Sequence, residues 1–223
     1  SLDALLRICE ENGLMVNLTT NGLLLEKWND VLKKSKSLRQ INISLHAAEQ
    51  NREIDMLKYM EYILAEVSDI KKESDVIISY RLWNISDLEN NKINKDIFRS
   101  LEKKYDIKNL YKRAKKEKFI ELDNNIFLNQ DYQFEWPDMK NKVINTIGKC
   151  YGLKSQIGIL SDGTIVPCCL DGNGDINLGN IFEIDNLEEF IKSPRCENIK
   201  DGFKKRELRE ELCKRCGFIK KFE

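Results

Sequence analysis

The residues in this chain best suited to chemistry are its cysteines. Cys213-Lys-Arg-Cys216 is a CxxC pair. Two thiolates at that spacing can reach one metal, and redox pairs share the spacing. Cys150 and the adjacent Cys168-Cys169 extend the set. Between them runs Ile157 to Pro167, which reads as two short strands joined at Asp162-Gly163, a hairpin turn signal. Such a hairpin would carry the Cys150 region back toward Cys168. Adjacent side chains of an extended segment point to opposite sides, so one of Cys168 and Cys169 would ligate and the other would not. Four thiolates can hold zinc or an iron–sulfur cluster, and spacing leaves both open. Cys196 reads as a spare or buried thiol, and Cys9 as part of the apolar face of the first helix.

The elements that must position these groups follow from periodicity. Leu2 to Glu11 has helical spacing and ends at Asn12-Gly13. Strands are expected at Met15 to Thr19, Ile41 to Leu45, Val76 to Arg81 and, briefly, Ile126 to Leu128. Helices are expected at Leu24 to Lys34, Asn51 to Ser68 and Asn94 to Tyr105. This alternation over roughly the first 130 residues predicts successive βα units with parallel strands, in an open sheet or part of a barrel. The basic stretch Lys112 to Lys118 reads as a solvated helix or linker face. Past Trp136-Pro137 the helical periodicity weakens, and six of the seven cysteines lie there. Two domains are therefore expected, residues 1–136 and 137–223.

The strands carry a second signal. Ile41, Ile43 and Leu45 share one face, and Asn42, Ser44 and His46 the other. Val16 and Leu18 oppose Asn17, Thr19 and Asn21; Ile77, Ser79 and Arg81 alternate with Val76, Ile78 and Tyr80. Parallel strands buried on both faces would be apolar throughout. One polar face implies a cavity for water or a polar ligand, because unpaired buried polar groups are costly. The alternative is a half-exposed sheet facing solvent. The polar groups gather toward the C-terminal strand ends, where α/β proteins bind ligands. His46, the only histidine, reads as a structural hydrogen-bonding residue.

Composition bounds the rest. The 223 residues suffice for one good-sized core, or for a main domain with a small appendage. Lys plus Arg and Asp plus Glu balance at 37 each, which argues against a dedicated nucleic-acid or membrane-surface binder. No apolar run is long enough to span a bilayer and no basic-then-apolar leader opens the chain, so the cytoplasm is the expected location. Reducing conditions there favour thiols as metal ligands over disulfides.

The block Cys150 … Ser161-Asp162-Gly163 … Pro167-Cys168-Cys169, then Leu178-Gly179-Asn180-Ile181, an acidic helix at Asn186 to Lys192, and Cys213-xx-Cys216, resembles the C-terminal auxiliary-cluster region of radical SAM enzymes, the SPASM/Twitch type. The resemblance selects Cys150, Cys168, Cys213 and Cys216 as the metal ligands. It implies the shortened Twitch form, with one auxiliary 4Fe–4S cluster and zinc as the alternative occupant. Leu18-Thr19-Thr20-Asn21-Gly22, Ile43-Ser44-Leu45-His46-Ala47 and Ser79-Tyr80-Arg81-Leu82-Trp83-Asn84 resemble later strands of the radical SAM barrel. This makes Asn21, Ser44 and Arg81 candidate contacts for S-adenosylmethionine or substrate. The family's CxxxCxxC loop and its Gly-Gly-Glu motif are absent, so the chain looks like a fragment beginning after the second barrel strand, or a natural degenerate relative that kept the auxiliary site, in either case unable to cleave S-adenosylmethionine by itself. The resemblance implies an α/β fold: a partial, TIM-like radical SAM barrel followed by a small cysteine-rich domain of a β-hairpin and helices. It also implies a parent enzyme with a second 4Fe–4S cluster, a small-molecule or peptide substrate, and a flavodoxin or ferredoxin as electron donor. The competing expectation is a non-catalytic metal-stabilised binding or electron-carrier module.

Overall fold

The computed structural model describes residues 1–46, 54–83 and 92–222. They fold as two units, Ser1–Gln133 and Phe134–Glu223. The division falls slightly earlier than the change in sequence character at Trp136. Phe134 stacks on Trp136 and packs edge-on to Phe218, which draws it into the second unit.

The first unit is α/β. Its elements are α1 (Leu2–Glu11), β1 (Val16–Thr20), α2 (Leu25–Lys34), β2 (Leu38–Ser44), α3 (Met56–Glu73), β3 (Ile77–Leu82), α4 (Lys92–Tyr105), α5 (Leu110–Ala114), β4 (Phe119–Asp123) and β5 (Ile126–Gln130). The sheet order is β1-β2-β3-β5-β4. The first three strands pair in parallel and in chain order, as successive βα units do, and β5 joins β3 in parallel. The first residues of the expected helix Asn51 to Ser68, and Ala47 and Asn84 of the strand motifs, lie outside the described residues. Helix α3 follows its N-cap, Asp55, whose carboxylate accepts from the Leu57 and Lys58 N–H groups, and it runs on to Glu73.

Strand β4 is a departure from the sequence reading. It pairs antiparallel with β5 through the turn at Asp123-Asn124-Asn125, where Asn125 has φ 58°. The alternation of exposed Phe119, Glu121 and Asp123 with buried Ile120 and Leu122 is the signal that could have revealed it. Within Lys112 to Lys118, the short helix α5 ends at Ala114 and a turn follows.

The core lies on one side of the sheet. Ile41, Ile43, Leu45, Ile78, Tyr80 and Leu82 are fully buried, with Met60, Ile63 and Ile70 of α3 and Ile97 and Leu101 of α4 in the same cluster. Spacings of three and four along α3 generate its buried face, Met56, Tyr59, Met60, Ile63, Leu64, Val67 and Ile70. The Tyr80 and Tyr105 hydroxyls satisfy each other at 2.8 Å, and burial pushes both phenols above their ordinary range. In α1 only Leu6 is buried: Leu5 is exposed and Cys9 half-buried, so the expected core position of Cys9 is a rim position.

The second unit contains β6 (Gly158–Ile159), β7 (Thr164–Val166) and β8 (Gly179–Asn180), then α6 (Leu187–Phe190), α7 (Pro194–Lys204) and α8 (Glu211–Lys214). The strands form an antiparallel sheet in the order β6-β7-β8. A separate core gathers Leu153, Ile176, Cys196, Ile199, Phe203, Leu208, Leu212 and Ile219. Cys196 is completely buried there, a packing thiol.

The β6–β7 hairpin turns at Asp162-Gly163, as its sequence predicts. The Asp162 carboxylate accepts from Thr164 N–H at 3.0 Å, and Gly163 has φ 88°. A Cβ at Gly163 would stand 2.7 Å from both Asn180 Oδ1 and the Phe182 ring. Gly163→Ala should therefore destabilise this unit by roughly 2 kcal/mol, from the left-handed backbone plus the clash. Urea unfolding followed by amide exchange within this unit, for instance at Ile165, would measure it. A loss under a few tenths of a kcal/mol would sink the account.

Candidate metal centre

Each of the four expected ligands is delivered by a local device. After Cys150 the chain makes a tight turn, with Lys154 and Ser155 N–H groups donating to the Tyr151 carbonyl. Leu153, at φ 58°, donates its N–H to the carbonyls of Gln156 (2.9 Å) and Pro167 (3.1 Å). The second of these bonds ties the Cys150 loop to the residue before Cys168. Cys168 follows the hairpin directly. Cys213 lies in the single turn of α8, and the Cys216 N–H donates back to the Cys213 carbonyl at 3.3 Å. Lys214 and Arg215, between them, both pair with Glu211.

One cavity is lined by Cys150, Cys168, Cys213 and Cys216 together. Its remaining wall is mainly apolar, including Leu170, Ile176, Leu212, Phe218 and Ile219. Cys169 is exposed and does not line it. The opposite sides expected of adjacent residues are realised, with Cys168 inward.

Burial and mutual repulsion set the electrostatics of the four thiols. Burial raises the pKa of all four thiols from the ordinary 9.0: Cys168 to about 11, Cys213 well above, Cys150 and Cys216 also upward. Cys213 is raised further by Cys150, Cys168 and Cys216, three neighbours whose charges would repel its own. Backbone N–H groups oppose the rise at three sulfurs: from Gly152 and Tyr151 at Cys150, Leu170 and Asp171 at Cys168, and Phe218 and Ile219 at Cys216. The Gly152 N–H lies 3.4 Å from Cys150 Sγ. Such bonds hold a thiolate in place and tune a bound cluster. The donor set, four thiols with amide support, fits a thiolate-ligated metal group. Among the described residues, no three His, Cys, Asp or Glu side chains are grouped closely enough to hold a single metal ion.

These shifts give a pH dependence with a definite sign. An unfolded chain ionises its thiols near the ordinary value, while the folded metal-free protein keeps them protonated to higher pH. The stability they contribute is full below about pH 9 and is lost as pH rises through the folded values. Metal-free protein should therefore lose thermal stability between about pH 9 and about pH 11 more steeply than a variant with all four cysteines replaced by alanine. The variant is the needed reference because buried Tyr80 and Tyr105 act in the same direction. Equal slopes would show that the thiols are not buried as described. Loading with metal should flatten the wild-type slope, since bound thiolates have no proton left to lose.

Of the three strand-end candidates, Ser44 and Arg81 are partners in the β2–β3 register. The Arg81 guanidinium lies 3.9 Å from the centre of the Trp83 ring. His46 stacks on Trp83, and its Nδ1 stands 3.3 Å from the Arg81 carbonyl. Trp83 is thus the residue that sequence reasoning left without a role; its aromatic ring at a strand end was the available signal. Asn21 acts locally. Its Oδ1 accepts from the Leu23 N–H at 3.1 Å, closing the turn after β1. Gly22 has φ 81° with the Ile43 and Ile63 side chains against it, which accounts for glycine in that motif.

The polar sheet face is largely self-satisfied. Asn42 Nδ2 approaches Thr19 Oγ1 at 3.4 Å, Gln40 donates to Asn42 at 2.7 Å, and Asn129 donates to Ser79 at 2.6 Å. Ser79 is buried and Asn42 half-buried.

No described helix is long and apolar enough to cross a membrane. Neither a curated protein nor a solved structure matches the chain. A family model does match, over residues 150–217, a span that starts at the first cavity cysteine and ends one residue past the last. Residues 150–217, which carry all four cavity cysteines, match the model of the SPASM iron–sulfur cluster-binding domain.

Proposed function

We propose that this chain is the auxiliary-cluster portion of a radical SAM oxidoreductase or modifying enzyme, and that Cys150, Cys168, Cys213 and Cys216 hold one 4Fe–4S cluster. The observation that carries the reading is the single cavity lined by all four thiols inside the SPASM segment. Cys169 and Cys196 do not line the cavity, being exposed and in the core respectively, which supports one cluster and the shortened Twitch form. With four cysteine ligands the group has no open iron site, so electron transfer suits it better than anchoring a substrate. When bound, it would supply one-electron chemistry.

The parallel sheet in chain order supports the barrel half of the proposal. Among the described strands β1 is an edge, and Leu14 and Met15, leading into it, are exposed, as are Leu5 and Ile8 of α1. An exposed apolar edge is suited to pairing with further strands. Asn21, Ser44 and Arg81 at the strand ends, with Trp83 against Arg81, are the candidate contacts for S-adenosylmethionine or substrate; a guanidinium can clamp a carboxylate by two bonds. The second reading is a non-catalytic, metal-stabilised binding or electron-carrier module.

The test joins this chain to a radical SAM half that carries the CxxxCxxC loop, reconstitutes both clusters anaerobically, and assays 5′-deoxyadenosine. Formation of 5′-deoxyadenosine supports the enzyme reading. Its absence from a protein with full iron and sulfide leaves the module.

A further inference from the structure

We propose that a lysine-rimmed groove beside Cys150 is the docking site for an acidic electron-carrier protein. The proposal rests on the reading of the four-cysteine site as an electron-transferring cluster.

The groove has a volume of about 360 Å³. Lys149, Lys154, Lys192, Lys200 and Lys204 line it, against one carboxylate, Glu197. In a chain whose formal charge is zero this is a marked local excess of positive charge. Two of the lysines are partly neutralised: Lys200 pairs with Glu197, and Lys192 with Glu188 at 2.9 Å. Lys149 and Lys154 instead flank the Tyr151 ring, 5.7 and 5.6 Å from its centre. Lys154 and Lys204 are exposed. The floor is apolar, with Leu153 and Phe203.

Position decides the function of this charge. Cys150 lines both the groove and the thiol cavity. A partner seated among the lysines would stand against Cys150, the first cluster ligand. The choice of lysine decides the kind of partner. Lysine offers hydrated, flexible point charges, whereas arginine offers the planar fork that grips one carboxylate or phosphate. Point charges around a small apolar floor suit a weak, electrostatically steered protein encounter, the usual character of redox pairs. A carrier with an acidic rim around its own redox centre is the complement.

The experiment titrates the full chain, loaded anaerobically with iron and sulfide, with an acidic flavodoxin, and follows binding by calorimetry. Wild type should bind at least about tenfold more weakly at 200 mM salt than at 20 mM, because the screening length falls from roughly 20 Å to about 7 Å between them. Lys154→Glu/Lys204→Glu should weaken binding at low salt by about tenfold and flatten the salt dependence, with iron content and visible spectrum unchanged. Lys154→Gln/Lys204→Gln should fall between the two. Unchanged affinity and salt dependence in both variants, with the cluster intact, would overturn the docking site. So would variants that, titrated likewise with inorganic phosphate, lose its binding while retaining flavodoxin, which would make the groove a small-anion site. A wild type that takes up no iron and sulfide fails differently: it removes the cluster reading, and the docking proposal with it.

Discussion

Cys213→Ala/Cys216→Ala protein should emerge from anaerobic reconstitution almost free of iron and sulfide, where wild type should carry about four of each per chain and absorb broadly near 400 nm. The expectation follows from the cavity. Cys213 is the thiol that senses all three of the others, and Cys216 approaches from the same turn, so the double change removes one side of the thiol ring. Single changes sharpen the test. Cys168→Ala should lose most of the iron and Cys169→Ala almost none, because only Cys168 lines the cavity. Cys196→Ala should keep its iron while losing about 1 kcal/mol of stability from a completely buried site. Iron retention in the Cys213/Cys216 variant, or equal loss in Cys168→Ala and Cys169→Ala, would refute the ligand assignment. One tightly bound zinc and no absorption near 400 nm would replace the cluster by a structural knot.

The parts of the molecule legible in the sequence are those whose signals are local. Helices α1 to α4 of the first unit announce themselves by spacing. The β6–β7 hairpin announces itself at Asp162-Gly163, and its delivery of Cys168 follows from the alternation of an extended chain. Strand β4 is hidden because Phe119 to Asp123 follows a basic helix and its partner is only five residues long, so neither strand makes a long pattern. The polar sheet face shows the limit of pattern reading. Alternation correctly separates Asn42 and Ser44 from Ile41 and Ile43. It does not disclose that Asn42 turns to Thr19, and Asn129 to Ser79, across neighbouring strands, since that depends on register. In the same way, the Cys150 loop is held by Leu153 donating to Pro167, a contact with no signal in the sequence. The lysines beside Cys150 come from separate segments, 149–154 and 192–204, and only the fold collects them.

Asp171→Ala should cost on the order of 3 kcal/mol and shorten the life of the bound cluster, although Asp171 is not a ligand. Asp171 is 1% exposed, and its carboxylate accepts two backbone bonds of 2.8 Å, from the Asp175 and Ile176 N–H groups. Its own N–H donates to the Cys168 carbonyl at 3.3 Å, and the residue lines the thiol cavity together with Ile176. The side chain is therefore the clasp of the loop that follows Cys168. Alanine would leave two donors without their acceptor, one of them buried, and would free Gly172 to Gly174 to move away. Asp171→Asn keeps one acceptor oxygen but sets an amide donor against a backbone donor, so about half of the loss is expected. Iron release to a chelator reads the consequence at the site. It should be faster in Asp171→Ala than in wild type, with Asp171→Asn between them, and the amounts of iron at the start should be equal. A variant that unfolds at the wild-type midpoint and keeps its iron as long as wild type would mean that Cys168 is held by the hairpin and the Leu153–Pro167 bond alone. The clustering of Asp, Gly and Asn just after Cys168 would then be an ordinary surface turn, and the amide support at the Cys168 sulfur would owe nothing to the Asp171 side chain.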